Sequence, residues 1–132
     1  MLLWLCVGLI VLLGAYIRLA PSDPSRWHVV PVAERNADMA GGAIRVVDTG
    51  PDGLERLDTI ARASARTSVL AGSVSDGLVT YVTRSRLIGF PDYTTAQQDG
   101  DTLRIHARLR FGRSDFGVNR NRVDTWLAAL QP

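Results

Sequence analysis

The sequence contains no lysine: all fifteen of its basic residues are arginine. Two readings of that bias stay open, the base composition of the genome and selection for the forked, planar contacts that guanidinium makes with carboxylate or phosphate. Cysteine is nearly absent. The single Cys6 lies in an apolar leader, which excludes a disulfide framework and a thiolate metal site. Histidine occurs twice, at His28 and His106, with no second ligand spaced near either, so no metal centre is expected. Aromatic residues make up only 7% of the chain, too few to suggest the stacking platform of a single-strand nucleic-acid binder. With 15 basic against 13 acidic residues the net charge is +2, which excludes strong overall steering towards nucleic acid. At 132 residues there is room for one small domain and an appendage.

What is present begins with a charge-free run from Leu2 to Ile17, continuing past Arg18 to a stop at Pro21. About nineteen helical residues rise about 28 Å, enough for a hydrocarbon core of about 30 Å if Arg18 reaches back to the interface. Trp4 and Tyr16 stand near opposite ends, as interfacial aromatics do. A cleaved signal peptide is the competing reading. The run has no basic n-region and no small-x-small cleavage pair, so an uncleaved single-span anchor over residues 1–20 is expected. Arg18, Arg26 and Arg35 follow the span, and the positive-inside rule taken alone would leave the domain in the cytoplasm.

Residues 21–42 read as a linker and membrane-proximal segment, opened by the turn-forming Pro21-Ser22-Asp23-Pro24-Ser25, and residues 43–132 as the domain. Lone His28 is expected to be structural or solvated. Ala43 to Val47 has strand character. Asp52, three residues before Glu55, signals a helix start, and Leu54, Leu57, Ile60 and Ala61 share one face of a helix over 52–64. Thr67 to Val74 and Leu78 to Leu87 form strands around Asp76-Gly77; Tyr93 to Gln98 and Asp101 to Phe111 form a hairpin around Asp99-Gly100. That turn would set Tyr93 opposite His106 and Thr95 opposite Arg104. Along the last strand Leu103, Ile105, Ala107 and Leu109 alternate with Arg104, His106, Arg108 and Arg110, so one face is buried and the other is cationic. A closing helix over 118–130 carries Val123, Trp126, Leu127 and Leu130 on its apolar side. The fold class is α+β: one small domain, an antiparallel sheet of four to five strands with two helices on one face, behind an N-terminal transmembrane helix.

One pattern occurs twice. Arg84-Ser85-Arg86-Leu87-Ile88-Gly89-Phe90-Pro91-Asp92-Tyr93 and Arg108-Leu109-Arg110-Phe111-Gly112-Arg113-Ser114-Asp115-Phe116 both read Arg-x-Arg, an apolar step, Gly, two residues, Asp, aromatic. One strand-and-corner unit used twice would bring these guanidinium groups together. Arg113, Arg120 and Arg122 also crowd a helix N-terminus, where the macrodipole disfavours cations. Either Asp115, with Asp92 from the other copy, caps the helix and pairs with arginines, or an anion sits on the free amides. Asp92, Asp115 and Asn119 are the candidates for capping and pairing.

The string from Arg108 through Gly112-Arg113-Ser114-Asp115-Phe116-Gly117-Val118-Asn119-Arg120 to Val123, together with Val82 to Arg86 and Gly89 to Asp92, resembles the bacterial and plastid family known as domain of unknown function 1499. The resemblance covers roughly residues 43 to 130. It implies a small α+β domain behind a membrane anchor or export signal, with no established activity. Many members carry an Asn-Cys-Val-Ser stretch near the start; here Trp27-His28 and a glycine pair occupy that region. The family's association with envelope and luminal compartments favours an inner-membrane protein with its domain on the periplasmic side. The expected function is a non-enzymatic binding or accessory domain that meets an anionic lipid, an acidic polysaccharide or an acidic protein through Arg84, Arg86, Arg108, Arg110, Arg113, Arg120 and Arg122. No cofactor and no nucleic acid are expected. The alternatives are a scaffold subunit of an envelope complex, and a hydrolase-like enzyme using His106 as base beside Asp92 or Asp115 with Ser85 or Ser114 as nucleophile. No nucleophile elbow or phosphate-cradling glycine loop supports the latter.

Overall fold

A computed structural model of the protein describes residues 1–131. The elements in chain order are α1 (Leu2–Leu19), α2 (Pro24–Trp27), β1 (Ala37–Met39), β2 (Gly42–Asp48), α3 (Gly53–Ala63), β3 (Thr67–Ser73), β4 (Leu78–Arg84), β5 (Pro91–Asp99), β6 (Thr102–Leu109) and α4 (Val118–Leu130). The strands make one antiparallel sheet in the order β1-β2-β6-β5-β4-β3. The fold class is the expected α+β, with six strands where four to five are read from sequence. The additional strand, β1, is only three residues long and pairs Ala37 with Ile44 and Met39 with Gly42. So short a run carries no periodicity of its own.

Period-two alternation sorts the sheet into two faces. On one, Val79, Tyr81, Ala96, Leu103, Ile105 and Ala107 meet Leu54, Leu57 and Ala61 of α3 and Val123, Trp126 and Leu130 of α4 in a single core. Full burial of side chains such as Leu103 and Ile105 stabilises the fold by about 1.5–3 kcal/mol each. Polar groups within this layer are matched. The Trp126 indole donates to Ser64 Oγ at 2.8 Å, tying the end of α3 to α4, and the Tyr81 hydroxyl donates to Asp58 at 2.7 Å. Burial, with the Asp58 carboxylate beside it, holds the Tyr81 phenol far above its ordinary range.

Two local expectations are corrected. Asp52 does not cap α3 with its side chain; it accepts from Arg56 at 3.1 Å, and the Leu54 amide is taken instead by Gln98 Oε1 of β5 at 2.8 Å. A tertiary acceptor has replaced the local one. The β5–β6 turn is Gly100-Asp101, flanked by the Asp99–Thr102 pair, so Tyr93 faces Arg108 and Thr95 faces His106. Gly100 supplies the positive φ of 59° at the first central position, as a II′-type turn requires. The shift is two residues along the partner strand, so each side chain stays on its expected face.

The largest departure concerns residues 21–33. Sequence places them in a linker, yet they lie across the second face of the sheet as a strap. Asp23 caps the single turn of α2, accepting from the Ser25 amide at 2.9 Å, and the turn delivers Trp27 onto Tyr93. The two rings stack at 4.0 Å with 16° between planes, over Val82. His28 follows onto the bulged β3, where Gly72 at φ 82° leaves the space its ring fills; a Cβ there would lie 2.6 Å from His28 Cε1. The molecule therefore has three layers: helices, sheet and strap.

α1 is long and apolar enough to cross a membrane, with a mean hydropathy of 2.3 and almost no burial. Only its last turn touches the domain. Tyr16 meets the edge of Phe111 at 6.2 Å, Ile17 and Ala20 are buried, and the Arg18 guanidinium lies 3.4 Å from where a Cβ of Gly89 would be.

Candidate functional site

β4 and β6 flank β5 and run in the same direction, so the two copies of the repeated pattern leave the sheet at one end. Their corners lie side by side, with the Phe90 and Phe111 rings 6.4 Å apart. In the first corner Ser85 Oγ accepts the amides of Gly89 and Phe90 at 3.1 and 2.9 Å, and the Arg84 guanidinium donates to the Gly89 carbonyl at 2.9 Å. Gly89 and Gly112 take φ of 82° and 95° and turn both chains back. Between the corners and the start of α4 opens a cleft of about 320 Å³. Phe90, Leu109, Phe111, Phe116 and Val118 form its apolar walls, and Ser85, Ser114, Asp92 and Asp115 its polar part.

The helix start at this cleft is electrostatically closed from within. Gly117, left-handed at φ 80°, occupies the cap position and brings its own amide and that of Asn119 onto Asp115, at 2.9 and 3.0 Å. Asn119, fully buried, donates its side-chain amide to the same carboxylate at 2.8 Å and accepts from Arg122 at 2.8 Å. Arg122 then reaches Asp92 at 3.4 Å, the first copy's aspartate. Asp115, Asn119, Arg122 and Asp92 form one chain of contacts joining both copies. Burial holds the Asp92 carboxyl above its ordinary range, opposed by Arg122.

The arginines divide by face. Arg104, Arg108 and Arg110 all point to the strap side, and each donates to a strap carbonyl: Arg104 to Ala33, Arg108 to Trp27 and Arg110 to Pro21. The expected open cationic face is therefore covered. Arg108 has no carboxylate partner among the described residues; Thr95 Oγ1 and the His106 carbonyl complete its contacts, and its guanidinium lies 5.5 Å from the Trp27 ring centroid. Burial lowers it to about 10. Arg86, Arg113 and Arg120 alone of the seven are exposed, and none makes an ion pair among the described residues. Each stands within two residues of a cleft-lining residue: Arg86 beside Ser85, Arg113 beside Ser114 and Arg120 two residues after Val118.

His106 is on the strap side of β6, and Asp92 and Asp115 are on the helix side, so the sheet separates the proposed base from both carboxylates. Burial first, then the neighbouring Arg108 charge, lowers the His106 imidazole to about 4. Ser85 and Ser114 serve their own corners, Ser114 accepting the Phe116 amide at 3.3 Å. The hydrolase-like constellation is not assembled. His28 belongs to a polar ladder beneath the strap, bonding Thr80 at 2.9 Å, with Thr80 bonded to Thr95 at 2.8 Å. Among the described residues no three His, Cys, Asp or Glu side chains gather as a metal site would need.

Sequence reading passes over two contributors. Phe111 reads as a strand residue but turns out of the sheet to form both a cleft wall and the seat of α1, and Trp27 reads as part of a tether. An apolar residue at each Arg-x-Arg corner is the only signal that could have marked the cleft. Comparison with curated proteins and with solved structures returns no significant match. A family model described as protein of unknown function, DUF1499, matches residues 17–130, taking in the strap, the sheet and both packed helices, and the chain therefore belongs to the DUF1499 family.

Proposed function

We propose that the protein is a membrane-anchored, non-enzymatic binding domain whose twin-corner end meets the anionic headgroups of the bilayer that α1 crosses. The observation that carries this reading is the seating of the last turn of α1 on that end. Arg18 marks the depth at which the helix leaves the hydrocarbon, and its contact with Gly89 sets the first corner at headgroup level. Tyr16, about 3 Å deeper along the axis, touches Phe111 of the second corner. Arg86, Arg113 and Arg120 are exposed around the same end, where each basic residue contributes about 1 kcal/mol against an anionic surface. The reading takes the bilayer to be a bacterial inner membrane with the domain on its periplasmic side, following the compartments associated with the family. A topology reporter fused after Pro132 checks the side.

The full chain in nanodiscs of phosphatidylcholine and phosphatidylglycerol tests the headgroup contact. Spin-labelled phosphatidylglycerol should be immobilised in larger proportion than spin-labelled phosphatidylcholine, and the preference should vanish in Arg86→Gln/Arg113→Gln/Arg120→Gln. Equal immobilisation of the two lipids by the unaltered chain would reject the contact.

A further inference from the structure

We infer that the cleft between the two corners is a site for one acyl chain of a bilayer lipid. The inference rests on the placement of the twin-corner end at the membrane, and it adds a ligand and a cavity to that placement. The cleft is mostly apolar, with five of its nine lining residues being Phe, Leu or Val, and its volume of about 320 Å³ falls at the lower end of the range for small-ligand sites. Phe111 is at once one of its walls and the residue on which Tyr16 of α1 rests. The cleft therefore shares a wall with the seat of the helix's last turn, the turn that the proposed function places at the edge of the hydrocarbon.

Phe116 is the second observation. Its ring is 94% exposed although it lines the cleft, and its backbone is left-handed at φ 54°. A non-glycine residue in that region is disfavoured, and an exposed phenyl forgoes the gain of burial. The turn into α4 accounts for the backbone, since Asp115 caps the helix from just before it. Among the described residues nothing covers the ring. On the opposite corner Leu87 is 87% exposed and Ile88 is about half exposed. Phe116 in the cleft wall and Leu87 and Ile88 on the neighbouring corner leave apolar surface at the end on which α1 is seated, an arrangement suited to a chain that enters the cleft while these side chains settle into the interface. The carboxylates in the cleft already have partners within the fold: Asp115 accepts from two amides and Asn119, and Asp92 faces Arg122 at 3.4 Å.

The test uses the full chain in nanodiscs of phosphatidylcholine alone, with a fraction carrying a diazirine in the acyl chain. No anionic lipid is present, so headgroup selectivity plays no part in the outcome. After irradiation and digestion, label is expected at residues 87–88 and 109–118 as well as on α1. In Val118→Trp, and in Ser114→Trp as a second plug on the other wall, the 109–118 label should be lost while that on 87–88 and α1 persists. Label on 87–88 and α1 without 109–118, or 109–118 label indifferent to both plugs in folded protein, overturns the acyl-chain site and leaves the membrane placement standing. Label on α1 alone overturns both.

Discussion

Replacing Trp27 by alanine separates a strap from a tether. The side chain is 9% exposed, stacks on Tyr93 at 4.0 Å, covers Val82 and lies under the Arg108 guanidinium. Truncating a buried tryptophan costs about 3–5 kcal/mol. The lower figure applies because the strap is a surface layer into which water can enter once the ring is gone. A further contribution comes from Arg108, which has no carboxylate to fall back on; its bond to the Trp27 carbonyl survives truncation only if the backbone stays in place. About 3 kcal/mol lowers the melting temperature by about 12–24 °C for a domain of this size. Near-ultraviolet circular dichroism of the full chain in nanodiscs follows the transition. Trp27→Phe keeps a ring on Tyr93 and should recover about half the loss. A change below about 1 kcal/mol in Trp27→Ala would refute the reasoning, because a residue in a solvated linker costs no more than that.

Two further outcomes follow from the same contacts. Asp115→Ala removes the acceptor for the Gly117 and Asn119 amides and leaves the Asn119 side chain buried with one partner fewer, so denaturant unfolding should register a loss of about 2–3 kcal/mol; a loss below about 0.5 kcal/mol would show that Asp115 is dispensable to α4. His106, lowered to about 4 in the fold against an ordinary 6.5, binds its proton first in the unfolded chain, so its contribution to stability is present above pH 6.5 and is lost as pH falls from 6.5 towards 4. Discounted for its partial exposure, the effect is about 1–2 kcal/mol. His106→Gln should flatten that part of a pH–stability curve, and an unchanged slope in the variant would assign it to other groups.

The sheet and its helices are legible in the sequence because each depends on a repeating pattern that burial enforces. Leu103, Ile105 and Ala107 alternate with polar residues, and Leu54, Leu57 and Ala61 fall on one turn-spaced stripe, so a wrong face would expose the whole set. The turn between β5 and β6 is misplaced by one residue because Asp99-Gly100 and Gly100-Asp101 differ only in where the glycine sits within the turn, and alternation is indifferent to the difference. The strap is not legible. Its hold on the sheet runs through the carbonyls of Pro21, Trp27 and Ala33, which every sequence possesses, and a stretch rich in proline and serine looks like a tether whether or not something grips it. The twin corners are readable as a repeat, and Asp115 as a cap, since both are local. That grip takes up Arg108 and Arg110, while Arg84 is held by the Gly89 carbonyl and Arg122 by Asn119 and Asp92, so Arg86, Arg113 and Arg120 are the exposed members of the seven.

Because Arg104, Arg108 and Arg110 take hold of main-chain oxygens, the strap is recognised by its span as well as by the few side chains, Trp27 and His28 foremost, that it lays on the sheet. One residue gained or lost between two of the gripped carbonyls of Pro21, Trp27 and Ala33 would put one of them out of step with its donor. The strap thus behaves as a ruler laid between the end of α1 and the first strand, fixing the distance between them by the number of its residues.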